Sequence, residues 1–406
     1  MKTVSISLSP NTEKDDVSLA LKELKSKDKI TGPAIQIFEN NFKKYFGFES
    51  VYSLNSGRSS LLVILEALNI QKNDEIIVQA FTCNAVINPI LKREALPIYI
   101  DIDKTLNIDV LKIEQKINKN TKAIIVQHTF GMPAQIKKIK EICEKYNLFL
   151  IEDCAHALGA KYENKYCGTF GDVSFFSFGR DKVISCVYGG IIGINNLALK
   201  ERVKTIYDKL RYPNKKWVNN QLRHPIIMNL LVLPLYNVLN IGKIILELSI
   251  RLNLISKAVT SLEYKGKLPE NFPEKMPNSM AKLANHQFEK LEKFNKHRRE
   301  LAQYYHEQIG GIFEMKEGAI YLKYPLLVSN GTEIIEKMGR YNIMLEDGWR
   351  KHAIVPPKTI LCEMNYIEGE CLEAERISDK IIILPTHIKI TKEIAEKIVY
   401  LLKSLI

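Results

Sequence analysis

Lys182 closes a stretch that is otherwise largely apolar and glycine-rich, Gly171-Asp172-Val173-Ser174-Phe175-Phe176-Ser177-Phe178-Gly179-Arg180-Asp181-Lys182, with Tyr188-Gly189-Gly190 following. Desolvation and a neighbouring cation such as Arg180 favour the neutral amine, the form a Schiff-base lysine needs. Upstream, Ile151-Glu152-Asp153-Cys154-Ala155-His156-Ala157 puts two carboxylates and a histidine at the end of a β-branched run. A buried aspartate there suits a protonated ring nitrogen, and equally a helix cap or a satisfied core position. Earlier still, Asn55-Ser56-Gly57-Arg58-Ser59-Ser60 follows the strand-like Val51-Tyr52-Ser53-Leu54 and opens an amphipathic pattern. A Gly-Ser turn at a helix start offers free N–H groups and a positive dipole end to a phosphate, or simply caps the helix. Each motif is weak alone. Their order, a phosphate turn, then Asp, then Ser-x-x-x-x-Lys, has no counterpart elsewhere in the chain.

The elements that must hold these residues follow from the hydrophobic pattern. Glu75–Val78, Pro97–Ile100, Ala123–Val126, Phe149–Ile151 and Ile191–Ile194 are short apolar runs. Amphipathic segments alternate with them, such as Leu61, Leu62, Leu65 and Leu68, or Ile136, Ile139 and Cys143. Continuous apolar strands between amphipathic helices predict a mostly parallel sheet covered on both faces. Ligands of such an α/β architecture sit beyond the carboxyl ends of the strands, where Asp153 and Lys182 fall. A long charged helical pattern with Leu283, Phe288, Leu291 and Phe294 follows Pro277. The chain closes as a smaller α+β unit with a strand at Lys380–Leu384 and a helix from Lys392 to Leu405. The expected layout is an arm over 1–30, a large α/β domain over 31–210, an apolar helical insertion over 211–275 and a small domain over 276–406.

The chain has 406 residues and is 46% hydrophobic and 26% charged, which excludes disordered, collagenous and multi-span membrane classes. Its net charge of +12 is spread without a basic stripe interleaved with aromatics, so no nucleic-acid partner is expected and anionic small substrates suit it. Seven cysteines contain no C-x-x-C pair, which leaves no zinc or thioredoxin motif, and no metal is expected. Residues 1–10 lack an apolar stretch of signal-peptide length, and the two observations together predict a reducing cytoplasm. The insertion is the anomaly. Ile226 to Gly242 is seventeen residues without a formal charge, broken by Pro234, and Lys243, Glu247 and Arg251 then form one polar stripe. That is too short and too interrupted to span a bilayer. It reads either as a helix pair buried against the body or a partner subunit, or as an interfacial element over 226–255 touching a membrane or a lipid-linked substrate.

The ordered set resembles the pyridoxal-phosphate enzymes of aspartate-aminotransferase fold, specifically the DegT/DnrJ/EryC1/StrS family of sugar aminotransferases. The resemblance runs from Lys29-Ile30-Thr31-Gly32 to the last helix. It implies fold type I, with a mixed, mostly parallel seven-stranded sheet in the large domain and a smaller α+β C-terminal domain. It implies pyridoxal 5′-phosphate as cofactor, glutamate as amino donor, a nucleotide-linked keto-sugar as acceptor, and a homodimer with shared active sites. Lys182 is then the Schiff-base lysine and proton carrier, and Asp153 the partner of the pyridinium nitrogen. His156 lies near the phenolic oxygen, while Ser56, Gly57, Arg58 and Ser177 take the phosphate. The stacking aromatic of the family aligns with Cys83, so either Phe81 shifts into that role or the cysteine replaces it. Asn278 is the candidate for a phosphate contact across the dimer, and Thr31, Gly32, Arg180 and Tyr188 for substrate contacts. Val187-Tyr188-Gly189-Gly190 stands where the family often reads Gly-Glu-Gly-Gly. Other readings are a different pyridoxal-phosphate reaction on a small or lipid-linked substrate, and a non-catalytic regulator or scaffold.

Overall fold

The computed structural model describes residues 3–311, 313–345 and 348–406. Seven strands form the central sheet: β1 (Ser50–Leu54), β2 (Glu75–Gln79), β3 (Leu96–Ile100), β4 (Thr121–Gln127), β5 (Phe149–Asp153), β6 (Val173–Ser177) and β7 (Gly190–Ile194). Their order across the sheet is β1-β7-β6-β5-β4-β2-β3, and only β7 runs against the rest. Asp153 of β5 lies in register between Gln127 of β4 and Phe175 of β6. The carboxyl ends of three parallel strands therefore converge on one point.

Helices cover the sheet: α1 (Lys14–Lys25), α2 (Ala34–Phe46), α3 (Gly57–Ala67), α4 (Asn84–Lys92), α5 (Ile136–Tyr146) and α6 (Leu197–Lys209). In α2, Phe38, Phe42 and Phe46 recur every fourth residue and so share a face, all buried. That face packs edge-on against Phe176 and Phe178, which flank Ser177. Ring contacts of this kind hold the strand that leads to Lys182.

Beyond α6, α7 (Lys215–Ile227) runs through a π-type turn, Met228–Val232, to Leu235, and α8 (Ile241–Arg251) packs back on it. A Cβ at Gly242 would lie 2.3 Å from the Val232 carbonyl, so only glycine permits this approach. Among the described residues no helix is long and apolar enough to cross a membrane.

Two helices then join the units. α9 (Asn278–Phe288) packs on α2, and α10 (Leu291–Ile309) packs on the last helix. The expected boundary at 276 therefore places α9 in the small domain, whereas its buried face belongs to the large one. The small unit pairs β8 (Lys323–Leu327) antiparallel with β9 (Ile381–Pro385), flanked by α11 (Gly331–Arg340), α12 (Leu372–Lys380) and α13 (Lys392–Lys403). The expected arm over 1–30 divides: Val4–Ser5 pairs parallel with Ile343–Met344 of the small unit, while α1 packs on α7 and α9.

Candidate active site

Adjacent carboxylates end β5, and the fold gives them opposite surroundings. Glu152 is fully buried and accepts hydrogen bonds from the N–H groups of Gly168, Phe170 and Gly171 at 2.7–2.8 Å, and from His128 Nε2 at 3.1 Å. Burial alone would raise its pKa, but these donors hold it below the ordinary carboxylate value. Asp153 is 3% exposed, and burial pushes its pKa up to about 6, opposed by the Ala155 N–H and the more distant charges of Lys182 and His128. Such a carboxyl is a poor core anion and a good partner for an incoming cation.

Asp153 opens on a cavity of about 350 Å³ together with Ser177, Lys182 and His156. Lys182 Nζ lies 3.0 Å from His156 Nε2. Burial, reinforced by Lys182 and then Lys323, holds the His156 pKa well below the usual value, so the ring is neutral. Its Nδ1 accepts the Phe130 N–H at 3.3 Å, which assigns the ring proton to Nε2. A neutral imidazole of that tautomer donates to Lys182, and the contact is complementary when the amine carries its lone pair. Asp181 Oδ1 is 3.9 Å from Lys182 Nζ, and its Oδ2 accepts from Lys323 Nζ of β8 at 3.2 Å. Burial would raise the Asp181 pKa, but Lys182 and Lys323 keep it far below the normal range.

The loop carrying Lys182 is braced by residues that no local motif marks. Asn11 Nδ2 donates to the Lys182 carbonyl at 2.5 Å, and the buried Arg298 of α10 donates to Asn11 Oδ1 at 2.9 Å and to the Val183 carbonyl at 2.7 Å. Trp349 of the small unit lines the cavity edge-on to His156, with ring centroids 5.0 Å apart.

A second group lies at the start of α3. Ser56 caps the helix, its Oγ accepting the Ser59 N–H at 3.1 Å, while Gly57 and Arg58, whose N–H groups fall in the first turn where no intrahelical acceptor exists, line the cavity. A Cβ on Gly57 would come within 3.1 Å of Ser177 Cβ, so the turn and the Ser177 hydroxyl form one cradle. This has the donor set a phosphate requires. The Arg58 guanidinium is committed elsewhere. It pairs with buried Glu263, donates to the Ala258 carbonyl at 3.0 Å and lies 5.7 Å from the Tyr188 ring centre. Of Arg58, therefore, the backbone N–H and not the side chain is left to a ligand, because an internal carboxylate already neutralises the guanidinium.

Arg180 lies on the other side of Tyr188, 5.6 Å from the ring centre, and donates to the Ser256 carbonyl. Its Nε is sealed from solvent without a partner, and among the described residues no carboxylate lies within ion-pair distance of it. Tyr188 donates to the carbonyls of Lys257 and Ala258, the latter at 3.1 Å. Segment 256–263, at the foot of the insertion, is therefore one wall of the site.

Other expected residues lie apart. Phe81 does not reach the cavity: its backbone turns at φ +52°, and its ring packs on Phe130 and Trp349 with no exposure. Cys83 does line the cavity. Asn278 Oδ1 accepts the Ala34 N–H at 3.0 Å and its Nδ2 donates to the Asp28 carbonyl at 2.7 Å, clamping the turn that contains Thr31 and Gly32. None of these three lines the cavity of its own chain.

An α/β fold that brings a lysine with a neutral hydrogen-bonded neighbour, an unpaired buried aspartate and a phosphate cradle into one cavity defines a Schiff-base enzyme of the pyridoxal-phosphate type. The chain belongs to the DegT/DnrJ/EryC1/StrS aminotransferase family, whose model matches residues 10–226 and 254–403. It is 30% identical to the uncharacterized protein MJ1066 of Methanocaldococcus jannaschii over 98% of this chain and 96% of that one. It is 41% identical to GDP-perosamine synthase of Escherichia coli O157:H7, over 44% of this chain and 47% of the relative. It is 38% identical to dTDP-3-amino-3,6-dideoxy-alpha-D-galactopyranose transaminase of Aneurinibacillus thermoaerophilus, over 48% and 55%. The match thus spans about half the length of these named relatives. Among solved structures, the PLP form of the putative sugar aminotransferase Spr1654 from Streptococcus pneumoniae superposes with a TM-score of 0.74 at 20% identity, covering 98% and 97% of the two chains.

Proposed function

We propose that the chain is a pyridoxal-phosphate-dependent aminotransferase that takes an amino group from glutamate and delivers it to a keto-sugar linked to a nucleoside diphosphate. The observation that carries this reading is Lys182 beside neutral His156, in the same cavity as the unpaired carboxyl of Asp153 and the Gly57–Ser177 cradle. Bound there, the cofactor supplies an electron sink for charge developing on the substrate carbon. Asp153 would hold the ring nitrogen protonated, His156 would stand beside the phenolic oxygen, and the α3 N-terminus with Ser177 would anchor the phosphate. Lys182 would serve as the proton carrier through Nζ, which its neutral neighbour His156 and the braced loop keep aimed. The half-buried Arg180 guanidinium, with no carboxylate within ion-pair distance among the described residues, supports an anionic acceptor, because an anion arriving there meets a partly desolvated cation. The names of the two sugar-processing relatives support a nucleotide-linked sugar in that position. The protein works as a cytoplasmic homodimer in this reading, with the Asn278 turn presented to the neighbouring site.

The decisive measurement is the near-ultraviolet and visible spectrum of the purified protein with the cofactor added. A visible band that borohydride removes, leaving a pyridoxyl group on the Lys182 peptide by mass spectrometry, is expected for the wild type and not for Lys182→Ala. Glutamate should convert the band to the pyridoxamine form. A protein that stays colourless with excess cofactor refutes the reading.

A further inference from the structure

We infer that the α7–α8 hairpin is a docking surface for an anionic lipid bilayer. The family match breaks off at 226 and resumes at 254, so the hairpin is added to a site that the rest of the chain already completes. Apolar side chains stand on both faces of α8: Ile245, Leu246 and Ile250 pack on the Met228–Val232–Ile255 cluster, and a second set is turned to solvent. On α8, Ile241, Ile244 and Leu248, with Leu252 just beyond, recur at spacings of three or four and are 38–66% exposed. Small Gly242 and Ser249 face inward instead. Leu230, Leu231, Val238 and Leu239 extend the exposed set, Leu239 at 85%. An apolar face this concentrated marks an interaction site.

Charge selects the occupant. Residues 211–267 carry nine Lys or Arg against two Glu, a net +7 of the chain's +12. Neither glutamate is free: Glu263 is buried against Arg58, and Glu247 pairs with Arg251 one turn on. Exposed Lys243 stands on α8 itself, and exposed Arg340 adjoins the hairpin tip, where Asn237 touches Asn342. A second copy on the same face would meet it isologously and bring like charges together. An anionic headgroup layer satisfies the bases and takes the leucines beneath it. The surface also adjoins the active site, because Leu8 both lines the cavity and packs on the Met228–Val232–Ile255 cluster at the root of the hairpin. The inference stands independently of which amino group is moved.

The test is co-sedimentation of the cofactor-loaded full chain with phosphatidylcholine vesicles, with and without a third of phosphatidylglycerol. Wild type is expected to pellet with the anionic vesicles, and to be released by added salt. Leu239→Asp/Ile244→Asp/Leu248→Asp should weaken that partition by more than about tenfold. The milder Lys243→Glu/Arg251→Glu, on exposed positions, should weaken it by about tenfold with no effect on neutral vesicles. Both variants should keep the wild-type visible band, which certifies folding. Wild type that fails to pellet with anionic vesicles overturns the inference, as do variants that pellet equally well. A fall in solution mass in the triple variant also overturns it, because the face then closes on another copy of the chain.

Discussion

Glu152 and Asp153 are one methylene and one position apart, yet only one is equipped to act. Glu152 spends its lone pairs on three backbone N–H groups and His128, so it shapes the loop after β5; Asp153 is left with the Ala155 N–H and its pKa near 6. A folded-state pKa raised from about 3.8 means that the cofactor-free fold prefers the protonated acid. Its contribution to stability is present below pH 4 and lost as the pH rises through 6, up to about 3 kcal/mol in all. Asp153→Asn should therefore melt higher than wild type at pH 8 without cofactor, and the gap should close towards pH 4. With cofactor bound the order of merit reverses, and stopped-flow glutamate half-reactions should slow by about a hundredfold in the same variant. Arg180→Met should raise KM for the nucleotide-linked acceptor roughly tenfold to a hundredfold while leaving the glutamate half-reaction within about twofold. Unchanged acceptor KM with a slowed glutamate half-reaction would reassign Arg180 to the donor carboxylate. Lys182 and the Asp153 segment were legible in the sequence, since a strand end and a glycine-rich exit are local patterns. The braces Asn11 and Arg298 were not, because no periodicity connects residues so far apart along the chain.

At the scale of elements, the cradle depends on how closely β7 approaches the start of α3. A Cβ at Gly190 would lie 2.4 Å from the carbonyl carbon and oxygen of Ser56. Gly190→Ala must push strand and helix apart, and we expect thermal denaturation to show a loss of about 2–3 kcal/mol, with cofactor affinity falling in parallel. Gly57→Ala, whose Cβ comes tightest against the Ser177 side chain, at 3.1 Å, and only to ordinary contact with the Phe176 carbonyl at 3.6 Å, should keep the fold and weaken cofactor binding about tenfold by spectroscopic titration. Element reading from sequence succeeded for the sheet because buried parallel strands are nearly continuous apolar runs. It left the stacking position open between Phe81 and Cys83; the left-handed backbone of Phe81 swings its ring into the core while Cys83 lines the cavity, and nothing in residue type announces a positive φ at phenylalanine. It also assigned α9 to the wrong unit, since an amphipathic helix does not declare which neighbour its apolar face will meet.

At the scale of the whole molecule, the small unit and the N-terminal strand share one seam. Val4–Ser5 pairs with Ile343–Met344, Lys323 reaches Asp181 beside Lys182, and Trp349 closes the cavity over His156. Removing residues 1–12 takes away both the strand and Asn11. The truncated protein should bind cofactor at least about tenfold more weakly in a spectroscopic titration while retaining far-ultraviolet helicity, since Asn11 braces the Lys182 loop. The seam also has a consequence in time. A chain made from its N-terminus exposes Lys182 well before α10 supplies Arg298 or the small unit supplies Ile343, Lys323 and Trp349. Val4–Ser5, Asn11 and the Lys182 loop all wait for partners far downstream, so the reactive amine is put in order only after α10 and the small unit have been made.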